Sequence, residues 1–247
     1  MNRSQSFYDL FPVTSFLMLF VLAFYGLEFI EQLKWVREQG EGGGTALLGV
    51  SFSVLDSLGS FSTYHVTDGQ YWRLLSSAFL HGGLIHLFFN CVVLSDMGRV
   101  CEPLLSTWRF VTVYVCSAIG SSGFTYIWYV FIAGRPNNAV GASGALCGLI
   151  GLLLAFSIRH RQDVQRDSLL RWVVMIAILS FLIPQISWTG HLGGFIVGLA
   201  FGWFTREYTT SATAARWRYP GYAAAAATVV ALGFAIWNYF ANPPFQG

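Results

Sequence analysis

The stretch "AVGASGALCGLIG" (Ala139–Gly151) sets Ser143 between Gly141 and Gly144 in a run of small residues. Two readings compete for that serine. Serine beside glycine at small-xxx-small spacing is a common device for packing transmembrane helices closely. A nucleophilic serine needs more: a partner on another span, at the same depth, able to accept its proton.

The chain around the stretch is apolar enough to lie in a membrane. Of its 247 residues, 55% are hydrophobic and 11% charged, with a mean hydropathy of +0.55. Soluble domains carry about 25% charged residues, so this chain cannot coat a water-facing globule. The expected fold is all-α, a polytopic membrane helix bundle forming a single membrane-embedded domain over residues 1–247. A net charge of +2 is too small to attract nucleic acid, and none is expected as a partner. The four cysteines, Cys91, Cys101, Cys116 and Cys147, show no CxxC or His/Cys ligand spacing. They read as small buried hydrophobes, with no metal and no cofactor expected. The first apolar run is too long for a signal-peptide core and reads as a retained span.

A helix needs about 20 mainly apolar residues to cross a bilayer. The runs that approach this length are Phe11–Leu33, Leu80–Leu94, Phe110–Ile132, Val140–Ile158, Trp172–Pro184, Trp188–Phe204 and Tyr222–Tyr239. They predict a six-span core over roughly 11–205 and a seventh span at about 220–240. The long connection, residues 34–77, contains "GEGGG" (Gly40–Gly44), which lacks the lysine and Ser/Thr of a phosphate-binding loop. "ALLGVSFSVL" (Ala46–Leu55) is too short to span and is expected at the membrane interface. Lysine and arginine fix orientation. With the N-terminus cytoplasmic, Arg3, Arg99, Arg109, Arg159, Arg161, Arg166, Arg171, Arg206, Arg216 and Arg218 face inward. Only Lys34, Arg37, Arg73 and Arg135 then face outward. The long loop is therefore external, and the expected location is the cell membrane.

This topology sorts the intramembrane polar residues by depth. Ser143 lies ~7 Å into the fourth span and His191 ~5 Å into the sixth, both entering from outside. Gly194, Gly198 and Gly202 leave one face of the sixth span bare, and Gly144, Gly148 and Gly151 do the same on the fourth. Two bare faces let backbones approach, which would carry Ser143 and His191 into reach. On this arrangement packing and chemistry no longer compete, because the glycines bring the dyad together. "HGGLIHLFFN" (His81–Asn90) adds His86 and Asn90, four apart on one helix face, with Gly82–Gly83 marking the helix start. Polar groups in a membrane are costly and face partners or water.

The expected chemistry is serine hydrolysis. His191 acts as general base to Ser143, and the Ser143 N–H with the side chains of His86 and Asn90 stabilises the oxyanion. No acidic residue matches His191 in depth, so a dyad without a carboxylate is expected, open to water on the outer side. HExxH is absent and paired intramembrane aspartates are absent, which excludes the metalloprotease and aspartyl alternatives.

These motifs resemble the rhomboid family of intramembrane serine proteases. "GASG" around Ser143 is similar to the family's GxSG motif, with Gly141 and Gly144 as its glycines. "GHLGGFIVG" (Gly190–Gly198) resembles its histidine helix, with Gly194 and Gly198 in the glycine positions. His86 and Asn90 match its HxxxN element, with His81 five residues earlier as in many members, and "YWR" (Tyr71–Arg73) resembles the tryptophan-arginine pair of its first loop. The resemblance implies endoproteolysis of single-span membrane proteins in or near their transmembrane segments, with membrane lipid as the surrounding partner. It departs at Cys147, where many members carry an aromatic against the histidine; the smaller thiol would hold that ring less firmly. A rhomboid-like protein that binds membrane clients without cutting them is the second reading.

Other polar residues have plainer readings. Trp72 and Arg73 brace the first loop, and His81 belongs either to the site or to loop structure. His65 and His160 are expected in solvated loops, and Glu28 and Glu31 at the interface.

Overall fold

The computed structural model describes residues 7–39, 49–183, 186–204 and 211–243. Gly40–Gly44, Ala46–Leu48, Pro184, Arg3 and Arg206 lie outside the described residues. Seven of the described helices are 17 residues or longer: α1 (Pro12–Gln39), α2 (Leu84–Leu104), α3 (Thr107–Ile127), α4 (Ser143–Arg159), α5 (Asp163–Leu182), α6 (Trp188–Phe204) and α7 (Arg218–Ala241). The fold is an all-α polytopic helical bundle. By length and apolarity Pro12–Glu38, Leu84–Leu104, Thr107–Ile132 and Ala214–Ala241 can each cross a bilayer, and Ser143–Arg159 is a shorter apolar helix.

Several helix ends differ from the apolar runs, for one reason. An apolar run marks hydrocarbon thickness, whereas a helix continues into the polar zone. Thus α2 ends ten residues beyond Leu94, through Asp96, Arg99 and Glu102, and α5 starts nine residues before Trp172 in "DVQRDSLLR". The start of α2 at Leu84, not Leu80, follows from extended Gly83.

The centre of the bundle is α4, buried from Gly144 to Ser157. Its contact with α6 is backbone on backbone. A β-carbon on Gly194 would fall onto the Gly144 carbonyl, and one on Gly198 onto the Gly148 carbonyl. On the other side α3 closes in, with Ser121 over Gly144 and Ser117 over Gly148.

One end of the bundle gathers arginines. Arg159 donates to the Trp203 carbonyl at the end of α6 (2.8 Å), and Arg109 lies 5.5 Å over the Phe156 ring and 5.6 Å over Trp217. There Glu102 accepts from Val13 N (2.7 Å) and Thr14 N (2.9 Å), capping the first turn of α1.

At the opposite end the long connection is folded. Short helices form at Phe52–Ser57, Thr63–Thr67 and Arg73–Ser76, and the first of them packs with Leu58 and Leu80 into a small core of its own. Val54 and Leu55 are buried in it. The described part of this segment packs against Trp35 and Tyr239. Asn238 of α7 donates to the Ser57 carbonyl (2.9 Å) and ties the last helix to the loop. Arg73 is the hub: buried, it donates to the Asp56 carbonyl (2.9 Å), Asp56 Oδ1 (3.1 Å), the Ser60 carbonyl (2.9 Å) and Gln70 Oε1 (2.7 Å). Its guanidinium also lies 4.7 Å over the Trp72 ring. Burial lowers the Arg73 pKa from its ordinary value, opposed by Asp56. His65 is not a free solvated residue, since its Nε2 lies 3.0 Å from Asp56 Oδ2. Arg73→Ala removes the buried donor shared by the Asp56 and Ser60 carbonyls, the Asp56 carboxylate and the Gln70 amide oxygen, so a loss of about 3 kcal/mol is expected. Thermal unfolding in detergent measures it, and Arg73→Lys should recover only part, because an ammonium cannot reproduce the planar fork.

The loop also positions the segment leading to Ser143. Strand β1 (Phe61–Ser62) pairs antiparallel with β2 (Asn138–Ala139), and Gly141 N donates to the Ser77 carbonyl (2.9 Å).

Candidate active site

Ser143 is the first residue of α4, so its N–H lies outside the i→i−4 ladder and at the positive end of the helix dipole. The chain reaches it through Gly141, whose φ of +124° belongs to glycine. A β-carbon there would also stand 2.7 Å from His86 Cε1 and 3.8 Å from Ser143 Oγ. The His86 ring therefore shares the Gly141 surface with the serine hydroxyl.

His191 sits in the first turn of α6, directly after Gly190. Its Nε2 is 2.9 Å from Ser143 Oγ, and its Nδ1 is 2.8 Å from Ser180 Oγ on α5. A hydroxyl held at that distance from an imidazole nitrogen can pass its proton to it. The contact depends on the glycine seam, since α4 and α6 cannot come so close with a β-carbon at Gly194. Beside the pair lies a cavity of about 30 Å³ lined by Ser77, Ser121, Ser122, Thr125, Gly141, Ser143, Ser187 and His191. Its hydroxyls and volume suit a water molecule.

The remaining sequence-derived residues have distinct places. The Asn90 amide donates to the His86 carbonyl one turn earlier (2.9 Å), which leaves one amide proton to offer elsewhere. His81 is buried and edge-on to His86, with ring centroids 5.3 Å apart. His81, like His86 and Asn90, does not line the cavity. Its N–H donates to both oxygens of Glu28 (3.1 and 3.0 Å). Glu28 is thus buried inside the bundle rather than at the interface, held there by the backbone of the turn that precedes α2. Gly144 and Gly194 act through packing. Cys147, one turn after Ser143, is buried. Among the described residues, no three His, Cys, Asp or Glu side chains converge to hold a metal. Sequence reasoning missed Ser180, Ser121 and Ser187. For Ser180 a signal exists, a single hydroxyl in the apolar run "IAILSFLI" (Ile176–Ile183).

Residues 68–208 match the sequence profile of the Rhomboid domain. The chain belongs to the rhomboid family. It is 32% identical over 160 residues to RHOMBOID-like protein 5 of Arabidopsis thaliana, covering 63% of this chain and 51% of that protein. It is 32% identical over 136 residues to the rhomboid protease GluP of Bacillus subtilis, covering 54% of this chain and 26% of that protein. A third relative is named inactive: Inactive RHOMBOID-like protein 8 of Arabidopsis thaliana is 34% identical over 155 residues, covering 61% of this chain and 43% of that protein. The match therefore spans about half or less of each relative's own length. The rhomboid match covers α2 to α6, the helices that carry Ser143, His191, His86 and Ser180.

Proposed function

We propose that this rhomboid is an intramembrane serine endopeptidase in which Ser143 is the nucleophile and His191 the general base. One observation carries the reading: the 2.9 Å contact between Ser143 Oγ and His191 Nε2, made by side chains from two separate helices. His191 takes the hydroxyl proton as Ser143 Oγ attacks a peptide carbonyl. The oxyanion forms against the Ser143 N–H, His86 and Asn90. His191 then gives its proton to the leaving amine, and an acyl ester remains on Ser143. Water, deprotonated by His191, attacks the ester, and the serine recovers its proton. The hydroxyl-lined cavity suits the supply of that water.

The substrates are single-span membrane proteins, cut in or near the transmembrane segment. A helix hides its carbonyls in i→i−4 bonds, so segments carrying glycine or proline open more readily. The crowded surface around Gly141 favours a small residue before the scissile bond. The six-span core with an added seventh helix, a cytoplasmic N-terminus and a site opening outward belong to the same reading. The gathering of Arg109 and Arg159 at the far end of the bundle supports that orientation.

The test uses the full chain in lipid vesicles with a panel of single-span substrates, beside Ser143→Ala. Segments with central Gly or Pro should be cut several-fold faster than leucine-rich ones, with nothing cut by Ser143→Ala. Equal cutting of stiff and breakable segments sinks the substrate reading. A native chain that binds the panel and cuts none of it favours client binding, and one relative of this chain is named inactive.

A further inference from the structure

Ser180 lies in the last turn of α5, where the neighbouring side chains face outward. Phe181 is 78% exposed and Leu182 71%, whereas Ser180 is 6% exposed. The usual way for a serine to hide in an apolar helix is to donate to the carbonyl one turn back. Ser180 does this, with Oγ 2.8 Å from His191 Nδ1 and 2.7 Å from the Ile176 carbonyl.

The proton count follows from that second contact. A carbonyl can only accept, so the single hydroxyl proton of Ser180 is committed to Ile176. Towards His191, the oxygen of Ser180 is then an acceptor, and His191 Nδ1 must be the donor. In a neutral imidazole only one nitrogen carries hydrogen. Nε2 is therefore the bare nitrogen, and it is the one facing Ser143 Oγ. The ring is also held at two points, by α4 through Nε2 and by α5 through Nδ1, which fixes its plane.

We propose that Ser180 is a positioning residue that sets the tautomer and orientation of His191 for proton transfer from Ser143. This rests on the reading of Ser143 as nucleophile. The role belongs to the hydroxyl oxygen as a neutral acceptor: it orients the base without placing a buried charge beside it.

The experiment compares the full chain with Ser180→Ala, Ser180→Thr and Ser143→Ala in lipid vesicles. It measures kcat and KM on one single-span substrate, and the rate at which a fluorophosphonate labels the serine. Ser180→Ala should lower kcat by about 10–100-fold, the usual effect of removing a partner that orients a histidine. KM should stay within about twofold, since Ser180 is buried and its change acts through His191. Labelling should slow by the same factor as kcat, because it reads activation of the serine without a substrate helix. Ser180→Thr keeps an oxygen that can bond the i−4 carbonyl and should stay within about threefold of the native chain. Native kcat and labelling in Ser180→Ala overturn the assignment, as does a threonine variant as slow as the alanine one. Cleavage by Ser143→Ala would instead overturn the nucleophile reading itself. These failures are distinct, since the Ser180 assignment alone falls when Ser143→Ala is dead and Ser180→Ala is normal.

Discussion

Ser143→Ala and His191→Ala should each lower kcat by about 10⁴–10⁶-fold, and the double variant should be no slower than the worse of the two. The equality follows from the contact. With Ser143 absent, His191 has no hydroxyl to deprotonate; with His191 absent, the hydroxyl keeps its proton and is a weak nucleophile. On the proposed mechanism each residue acts only through the other, so the two losses should not add. A seventh-helix or loop residue that matters for stability would behave differently, giving partial losses that multiply. The measurement is single-turnover cleavage in lipid vesicles, long enough to quantify the residual rate. Additive losses would mean that the two side chains act in separate steps, and the dyad would fail as an explanation.

How far this site is legible before any coordinates depends on the kind of signal each residue leaves. Ser143 and His191 are legible because their glycine neighbours repeat at helical spacing, and repeated small residues state which faces meet. His86 and Asn90 are legible as a helical i, i+4 pair inside an apolar run. Ser180 leaves no such pattern; one serine in an apolar helix is tolerated by back-bonding and looks inert. Glu28 is misplaced for a related reason. The run from Phe11 to Leu33 is apolar on nearly every face, so it does not say how α1 is rotated, and a carboxylate is sent by default to the interface. The first loop is the least legible part. Arg73 takes partners from Asp56, Ser60 and Gln70, and contacts spread over such irregular spacing carry no period to detect.

The glycine seam yields the second large effect, with an internal control. Gly198→Val should destabilise the chain by about 3 kcal/mol or more, at or above the upper end of ordinary overpacking. Overpacking is usually relieved when a side chain rotates away, but here the obstacle is the Gly148 carbonyl. That carbonyl belongs to the backbone of the most buried helix, so relief requires α4 and α6 to part along their length. Separation would also draw His191 from Ser143. Against a total stability of about 5–15 kcal/mol, such a loss leaves little margin. Gly233 on α7 is the control: a β-carbon there meets nothing within 4 Å. Gly233→Ala should therefore be neutral or stabilising by up to about 1 kcal/mol, since alanine costs less chain entropy in a helix than glycine. Denaturation by SDS titration from mild detergent reads both. If Gly198→Val is no less stable than Gly233→Ala, close backbone approach is not what holds α4 to α6, and the geometry of Ser143 and His191 would need another source.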